Sequence, residues 1–346
     1  MARIVIAGAG AIGASIAYHL ALLGARDVVL CDRAEIAGGA TGKAMGGFRQ
    51  QFSTEAEVRL ARESHRLFAE LGSPLFDQVG YVFVATTEEG LERLTERSAL
   101  QAALGVPVER VDPTRVRGLR TDDVLGACAC WEDGVAEPAE ITRELVRRAA
   151  ARGVDVREHT DAREVARDLL VIACGAASPE LWPDLPVRPL CRQLVDVGPV
   201  PDLPADLPMT IEEETGFHFR RRGDTLRLAM PESTPRWTER EEVDESFLDE
   251  KRARLAHRYP RAADAPVLHA WAGLYDMTPD AHPIVGFVGD GVYAACGFSG
   301  HGFMQSPAVG RAVAEELVHG TSALDLSPYR LERFAANEVF PETLVL

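Results

Sequence analysis

Residues 3–13 of the chain read Arg-Ile-Val-Ile-Ala-Gly-Ala-Gly-Ala-Ile-Gly, and the predicted fold class follows from them. The apolar run 3–7 is short enough for a buried parallel strand, and the largely apolar run 12–23 predicts a helix that Gly24 ends. Residues 28–31 predict a second buried strand. A strand, a glycine turn, a helix and a second strand in this order predict the opening of a nucleotide-binding α/β layer.

The glycines of the turn form a G-x-G-x-x-G pattern at Gly8, Gly10 and Gly13, and Asp32 follows 24 residues after Gly8. Gly8 permits the tight turn, Gly10 lets a pyrophosphate approach the backbone, and Gly13 lets the helix pack against the strand. The N–H groups at the start of the helix carry partial positive charge that favours phosphates. Asp32 can accept hydrogen bonds from an adenosine ribose.

The composition limits the classes of partner. The chain has 346 residues, which suggests two domains at roughly 100–200 residues each. Its 37 basic and 53 acidic side chains give a net charge of −16, so neither nucleic acid nor a membrane surface is expected as a partner. Six scattered cysteines without a Cys-x-x-Cys pair favour neither a metal site nor a disulfide framework. With no signal-peptide pattern and no long apolar run, we expect a cytoplasmic protein.

The C-terminal part of the chain repeats the order of the opening. Residues 292–296 predict a strand, Gly297-Phe298-Ser299-Gly300-His301-Gly302 a loop, and residues 307–319 a helix. Pro307 at the first helical position and Ser306 before it are typical of a helix start. We therefore expect a second helix N-terminus here, facing an anionic ligand atom.

The sequence between these ends predicts mixed elements and an inserted second domain. Residues 34–52 are too glycine-rich for a stable helix and too irregular for a strand, and seven prolines between 183 and 208 predict loop or edge structure. Helices are expected at 54–72, 91–104, 138–151 and 244–259, and strands at 80–86, 154–157, 169–173, 217–221 and 225–230.

The dinucleotide is either a nicotinamide cofactor or FAD. Thr41-Gly42-Lys43 offers a second glycine-rich turn over the pyrophosphate and adenosine, which suits the longer FAD. Residues 297–302 supply a distant site for its ring, where backbone donors would stabilise charge at the pyrimidine end of a reduced flavin. A nicotinamide dehydrogenase leaves residues 297–302 unexplained, so FAD is favoured.

Several stretches share their pattern with one family, and they are residues 8–13, 46–52, 79–83, 271–280, 297–302 and 307–310. Through them the chain resembles the D-amino-acid-oxidase-type flavoproteins over nearly its whole length. The branch it resembles contains sarcosine oxidases, glycine oxidase and the β-subunits of dye-linked proline dehydrogenases. The first stretch is shared with many nucleotide folds, whereas the stretches after residue 270 are together specific to this group.

The resemblance implies FAD, a Rossmann-like FAD-binding domain with a parallel sheet and helices, and oxidation of a carbon–nitrogen bond next to a carboxylate. It also implies a smaller substrate domain with a mixed, mostly antiparallel β-sheet. The predicted bounds are 1–78, 138–187 and 278–346 for the FAD-binding domain, and 79–137 and 188–277 for the substrate domain.

Four positions can be compared with the family one by one. Gly273 falls where flavinylated sarcosine oxidases carry the attachment cysteine, so the resemblance implies non-covalent FAD. Tyr275 falls where glycine oxidase and D-amino-acid oxidase carry an arginine that grips the substrate carboxylate, which favours the secondary-amine branch. Arg49 matches a family arginine beside the flavin, and Phe52 stands where sarcosine oxidases carry a carboxylate-binding arginine. The residue that binds a carboxylate therefore stays open.

Three residues each have two interpretations. Arg227 is loosely matched with the lysine that activates oxygen near flavin N5 in oxidases, or it is a solvated arginine on an edge strand. His218, between Phe217 and Phe219, points into the substrate cavity or away from it, because alternate residues of a strand face opposite sides. His301 acts in the flavin loop through its backbone or through its imidazole.

The predicted site residues form two groups. Those predicted to act in catalysis are Arg49, His218, Arg227, Tyr275 and His301. Those predicted to bind the cofactor are Gly8, Gly10, Ala11, Ile12, Gly13, Asp32, Arg33, Thr41, Lys43, Gly47, Arg49, Gln50, Cys174, Gly175, Gly273, Gly297, Ser299, Gly300, His301, Gly302 and Phe303.

Two functions follow from these residues and the resemblance. In the first, an amino acid or a secondary or N-methyl amine gives a hydride from carbon to flavin N5 and becomes an imine, and oxygen reoxidises the flavin to give hydrogen peroxide. In the second, the chain is the flavin subunit of a proline dehydrogenase-like complex and passes electrons to a partner. The substrate, its stereochemistry and the oligomeric state stay open.

Overall fold

The computed structural model describes residues 2–345; residues 1 and 346, the outer bounds of the predicted domains, lie outside the described residues. The strands are β1 (Ile4–Ala7), β2 (Val28–Cys31), β3 (Gly47–Phe48), β4 (Phe76–Asp77), β5 (Tyr81–Ala85), β6 (Val108–Val111), β7 (Gly126–Cys130), β8 (Gly134–Ala136), β9 (Asp155–Arg157), β10 (Leu169–Ile172), β11 (Arg188–Val197), β12 (Met209–Glu212), β13 (His218–Arg222), β14 (Thr225–Ala229), β15 (Val267–Met277), β16 (Ile284–Gly289) and β17 (Val292–Cys296). The α-helices are α1 (Ala11–Leu22), α2 (Glu55–Leu71), α3 (Glu88–Ala103), α4 (Pro138–Ala150), α5 (Ser246–Arg258), α6 (Gly302–His319) and α7 (Glu332–Ala336).

Unit 1 comprises residues 2–44, 137–190 and 274–345, and its sheet has the strand order β16-β17-β10-β1-β2-β9. β1 pairs in parallel with β2 on one side and with β10 on the other, and β17 pairs in parallel with β10. The chain therefore leaves β1 in one direction and returns on its other side. In open parallel sheets, ligands bind beyond the carboxyl ends of the strands at such a reversal.

The central strands β1 and β2 of the unit 1 sheet are short, apolar and buried. All four residues of β1 and all four of β2 are buried. Helix α1 is apolar on almost every side, and it packs against both α6 and α4. Helix α1 ends at Leu22, and Gly24 follows with φ +76°, a backbone conformation that favours glycine.

Unit 2 comprises residues 45–136 and 191–273. Its larger sheet has the order β15-β11-β14-β13-β12-β5-β7-β6, mostly antiparallel, and a small sheet has the order β3-β8-β4. One face of the larger sheet carries an apolar core in which Phe217, Phe219 and Leu228 meet Leu255 and Tyr259 from α5 and the turn after it. The predicted α/β fold class, with a parallel sheet and a mostly antiparallel one, is confirmed.

Helix α6 begins earlier than the sequence predicts. It starts at Gly302 with His301 as its N-cap, so Ser306 and Pro307 do not open it, and Pro307 lies inside it. Pro307 cannot donate to the carbonyl of Phe303, but the Ser306 hydroxyl donates to that oxygen over 2.9 Å. The hydroxyl thus occupies the carbonyl that Pro307 cannot reach, and the helix begins directly at the end of the glycine loop.

The proline-rich segment 183–208 was expected to be loop or edge structure, and that prediction is wrong for β11. This strand runs through the middle of the segment and lies between β15 and β14, not at an edge. Its prolines cluster before residue 190 and after residue 198, so the pairing stretch Leu194–Val197 can form its ladder with β14. In the segment 34–52, expected to be irregular, Gly47–Phe48 forms the short strand β3.

Residues 45–78 group differently from the predicted domain bounds. They belong to unit 2, whereas the prediction placed them in the FAD-binding domain. The reason is local pairing: β3 and β4 both pair with β8, and Phe48 packs on Phe68 and Phe76 with ring centroids 4.6 and 5.6 Å apart.

Among the described residues, no helix meets the length and hydropathy needed to cross a bilayer.

The contact between α1 and α6 has no room for a side chain at Gly310. A Cβ there would lie 2.2 Å from Ser15 Oγ and 2.6 Å from Ser15 Cβ. We expect Gly310→Val to lower the free energy of unfolding by about 1–3 kcal/mol through overpacking, measured by urea denaturation. Val318→Ala, at an exposed position of the same helix, should change it by less than about 0.5 kcal/mol. Equal effects of the two substitutions would contradict the packing argument.

Candidate functional site

Three glycine loops meet at one edge of the unit 1 sheet. The loop beginning at Gly8 follows β1, Cys174 and Gly175 follow β10, and the loop 297–302 follows β17. Because these strands are neighbours and parallel, their carboxyl ends lie side by side. The structure thus brings both ends of the chain to the edge at which the topology predicts a ligand.

The fingerprint glycines stand where the backbone is crowded. A Cβ on Gly8 would lie 2.3 Å from the carbonyl oxygen of Ala173, and Gly8 has φ +103°. A Cβ on Gly13 would lie 1.9 Å from the carbonyl oxygen of Gly8, so helix α1 packs directly on the turn. At Gly10, by contrast, the added Cβ would meet only Thr41 Oγ1 at 3.1 Å, which leaves this side open to a ligand.

Asp32 fixes the loop from the end of β2. Its Oδ2 accepts a hydrogen bond from the N–H of Ala9 at 2.7 Å, and its Oδ1 accepts one from Ala34 at 2.8 Å. Thr41 Oγ1 accepts a hydrogen bond from the N–H of Ala11 at 3.0 Å. The N-cap residue of α1 is Gly10, which has no side chain to cap the helix. The start of α1 therefore offers backbone donors and dipole charge to a pyrophosphate.

Two further residues predicted to bind the cofactor, Arg33 and Lys43, follow β2 and have different neighbours. Lys43 ends a short 3-10 helix, Ala40–Lys43, that contacts α4. Arg33 forms an ion pair with Glu180, with 2.6 Å between Arg33 Nη1 and Glu180 Oε2. Because both side chains of this pair are about half exposed, the pair contributes little to stability.

The C-terminal loop is held in an uncommon conformation. Gly297, Ser299 and Gly300 have φ of +75°, +51° and +92°. A Cβ on Gly300 would lie 2.3 Å from the ring of Tyr275, so this tyrosine packs on the loop. His301 is buried and is the N-cap of α6. A glycine at position 300 thus brings Tyr275 and the helix start together.

Asp276, which is not among the predicted site residues, organises this loop. Its Oδ2 accepts from the N–H of Gly297 at 2.7 Å, and its carbonyl oxygen accepts from the N–H of Ser299 at 3.2 Å. Burial raises the pKa of Asp276 to about 6, against the opposing effect of the backbone N–H groups. An acid beside a glycine loop, in the stretch that carries the family resemblance, was the available signal.

In unit 2, Arg49 and Gln50 lie in a segment held by a buried acid. Asp133 accepts hydrogen bonds from the N–H of Gln50 at 3.0 Å, from Gln50 Nε2 at 3.1 Å and from Gln51 Nε2 at 3.1 Å. Burial raises the pKa of Asp133 to about 7, although these amide donors oppose the shift. The guanidinium of Arg49 lies 4.0 Å over the ring of Phe52 and donates to the carbonyl of Gln51.

The larger unit 2 sheet has one polar face, defined here by Asp196, His218, Arg220 and Arg227. These residues alternate with the core residues on the same strands, as Phe217 and Phe219 do around His218. All four are at least nine-tenths buried. His218 therefore points away from the apolar core, and whether it enters a substrate cavity stays a prediction.

His218 is a neutral acceptor near pH 7. Its Nδ1 lies 2.7 Å from the carbonyl oxygen of Gly216, and because a carbonyl only accepts, Nδ1 carries the proton. Burial lowers the pKa of His218 to about 4, and the cations Arg49, Lys251 and Arg192 add to this effect. The lone pair of its Nε2 is thus available in the physiological range.

Arg227 is neither solvated nor on an edge strand, so that interpretation is wrong. Its Nε and Nη2 donate to the two carboxylate oxygens of Asp196 over 2.9 and 3.0 Å, and its guanidinium lies 4.6 Å over the ring of Trp271. β14 has β11 on one side and β13 on the other. The positive charge of Arg227 is therefore compensated by a buried carboxylate.

The unit 1 edge fits an adenine dinucleotide. It has an open Gly10, a helix start with backbone donors, and Asp32 at the end of β2. A family model described as "DAO: FAD dependent oxidoreductase" matches residues 3–316. The chain belongs to this family. FAD is its cofactor, and Gly8, Gly10 and the α1 N-terminus would hold the diphosphate.

Relatives of this FAD-dependent oxidoreductase cover almost all of it. FAD-dependent oxidoreductase domain-containing protein 1 of Xenopus laevis is 29% identical over 97% of this chain and 83% of its own length. Glycine oxidase of Geobacillus kaustophilus is 26% identical over 95% of this chain and 96% of its own. The crystal structure of L-proline dehydrogenase from P. horikoshii superposes with a TM-score of 0.91, 27% identity, and coverage of 98% and 99%. This oxidoreductase is of the amino acid and amine oxidase kind.

The predicted site residues divide between the two units. Unit 1 holds Gly8, Gly10, Ala11, Ile12, Gly13, Asp32, Arg33, Thr41, Lys43, Cys174, Gly175, Tyr275, Gly297, Ser299, Gly300, His301, Gly302 and Phe303, and unit 2 holds Gly47, Arg49, Gln50, His218, Arg227 and Gly273. Gly47 packs against Tyr81 and Met209, and Gly273 is buried in β15. The roles of the predicted site residues in binding and catalysis, and the non-covalent attachment of FAD, stay predictions.

Within residues 2–345, no three His, Cys, Asp or Glu side chains are grouped to hold a metal ion.

The fingerprint loop gives a first test of the cofactor site. Asp32→Asn replaces a charged acceptor of the Ala9 and Ala34 N–H groups by a neutral amide, and hydrogen bonds to charged groups are the stronger ones. We expect FAD to bind roughly tenfold more weakly, about 1.4 kcal/mol, in titrations of the apoprotein followed by flavin fluorescence. Asp27→Asn, at a half-exposed acid before β2, should leave the Kd unchanged. If the Kd for FAD is unchanged in both variants, the assignment of Asp32 to the FAD site is wrong.

The burial of His218 can be tested through the pH dependence of the free energy of unfolding. Its folded-state pKa of about 4 lies below its value of 6.5 in the unfolded chain, so the unfolded state binds the proton first as pH falls. We expect the wild type to lose roughly 2 kcal/mol of stability between pH 7 and pH 4.5 from this group, and His218→Gln to lack that part of the slope. Urea denaturation across this range measures it, with His319→Gln, an exposed histidine, as the control. Identical slopes in His218→Gln and wild type would contradict the burial argument.

Proposed function

We propose that this FAD-dependent oxidoreductase oxidises the carbon–nitrogen bond of a secondary or N-methyl amino acid to an imine. The similarity to L-proline dehydrogenase carries the proposal, because it spans both chains almost entirely and proline is a secondary amine. Tyr275 supports it, since its ring packs on Gly300 at the position where the glycine oxidase branch has an arginine.

The reaction removes a hydride from the substrate carbon and a proton from its nitrogen, and water can hydrolyse the resulting imine. Bound FAD supplies the two-electron acceptor. In this proposal the polar face of unit 2 binds the substrate, and the neutral His218 accepts a hydrogen bond from the amine N–H through Nε2. A protonated imidazole would repel an ammonium, so the depressed pKa of His218 suits this role.

A second candidate function concerns the electron acceptor. Oxygen activation is favoured by a fixed cation that stabilises superoxide-like charge, and Arg227 is matched with that cation only loosely. In this chain Asp196 compensates its charge through two hydrogen bonds. This pairing favours a dehydrogenase that passes electrons to a partner, as an alternative to an oxidase that produces hydrogen peroxide.

The substrate class is tested by anaerobic bleaching of the FAD-loaded protein. L-proline and N-methylglycine should bleach the flavin at concentrations at which glycine does not. The control is dithionite, which should bleach every sample. A flavin that dithionite reduces but no secondary or N-methyl amino acid reduces would overturn the proposal.

The acceptor is tested on the same protein with a substrate that bleaches it. A dehydrogenase should reduce an artificial dye while releasing little hydrogen peroxide in air. Stoichiometric hydrogen peroxide release at a comparable rate would decide for the oxidase.

A further inference from the structure

Hydrogen bonds within the C-terminal loop fix only part of its conformation: the N–H of His301 donates to the carbonyl of Phe298 at 2.8 Å, and the Ser299 hydroxyl to the carbonyl of Gly297 at 3.3 Å. Ser299 is not a glycine, yet it has φ +51° between two glycines that also have positive φ. Residues in sparsely populated backbone regions are strained, and they persist only where surrounding contacts fix them. The N–H groups of Gly297 and Ser299 point to the end of β15, and a buried N–H needs an acceptor.

The end of β15 supplies those acceptors. The carboxylate of Asp276 accepts from Gly297 at 2.7 Å, and the backbone carbonyl of Asp276 accepts from Ser299 at 3.2 Å. In return, the N–H of Thr278 donates to the hydroxyl of Ser299 at 3.2 Å. These contacts join two segments that are 21 residues apart in sequence, and they are all within unit 1.

The same carboxylate lies between two of the three glycine loops. A Cβ placed on Gly175, in the loop after β10, would lie 4.0 Å from Asp276 Oδ2. Gly175 itself has φ +54°. Asp276 thus stands beside the loop after β10 while it binds the loop after β17.

From these contacts we infer that Asp276 is a positioning residue for FAD: it holds the loop 297–302 in the shape that receives the cofactor. The N–H of Gly297 is committed to Asp276, so Gly297 serves the site through its conformation. The N–H groups of Ser299 and His301 also have acceptors, the carbonyls of Asp276 and Phe298. The donors offered to FAD therefore lie at the start of helix α6.

The charge of Asp276 defines the conditions of the test. Burial raises its pKa to about 6, so the carboxyl is ionised at pH 7.5. The titratable group that faces it from β17 is the thiol of Cys296, whose pKa burial raises far above neutrality, so the thiol stays uncharged. The variants are therefore compared at pH 7.5, where Asp276 is the charged partner.

Two substitutions separate the hydrogen bond from the fold. Asp276→Ala removes the acceptor of the Gly297 N–H, whereas Asp276→Asn keeps an oxygen at that place. We expect Asp276→Ala to weaken FAD binding by roughly tenfold or more, and Asp276→Asn to weaken it by less. The readouts are the Kd for FAD of the apoprotein, the visible spectrum of the bound flavin, and the melting temperature of the apoprotein. The bound flavin of Asp276→Ala should show a shifted spectrum, because the loop beside it has moved.

Asp290 provides the matched control, since it is an exposed acid in the turn between β16 and β17 of the same unit. Asp290→Ala should leave the Kd and the flavin spectrum as in the wild type. An unchanged Kd and spectrum in Asp276→Ala would overturn the inference. So would a Kd and spectrum that change only in proportion to a loss of apoprotein stability, with Asn and Ala alike. None of these measurements involves a substrate, so their outcome is independent of the proposed reaction.

Discussion

The close approach of the turn at Gly8 to the end of β10 is the constraint on which unit 1 depends. There is no room for a Cβ between Gly8 and the carbonyl of Ala173, and none between Gly13 and the carbonyl of Gly8. These contacts set β1, β10 and the start of α1 against one another. Because β17 pairs with β10, the C-terminal loop reaches the same edge. A cofactor that spans several loops can bind only if this register is kept.

Aspartates hold the loops that this register brings together. Asp32 accepts two backbone N–H groups of the opening turn and of the residues after β2, and Asp276 accepts that of Gly297. In unit 2, Asp133 does the same for the segment that carries Arg49. Loops cannot pair their own N–H groups as helices and sheets do, so a short acidic side chain supplies the acceptors. Fixed loops lower the cost of ordering the site when a ligand binds.

In unit 2, apolar and polar residues alternate along the strands, so the apolar core lies on one face of the larger sheet and the polar groups lie on the other. Phe217 and Phe219 fill the core with α5, while His218 and Arg220, next to them, face the other side. Burying such groups is costly unless each has a partner, and Arg227 meets this requirement through Asp196. The result is a face with a neutral imidazole and a guanidinium whose charge a carboxylate compensates.

The opening strand, turn and helix, the strands β13 and β14, and the cofactor could be predicted from the sequence, because spacing, glycine positions and alternation are local signals. Neither β11 nor the start of α6 at Gly302 could be predicted in this way, because proline counts and helix-start rules leave out tertiary neighbours. β11 lies between two paired strands, and α6 continues through Pro307, where the Ser306 hydroxyl donates to the carbonyl of Phe303. The partnerships of Asp276, Asp133 and Asp196 were decided only by the tertiary structure. They join residues that are 21 to 83 positions apart, and a hydrogen bond over such a separation exists only once the chain has folded.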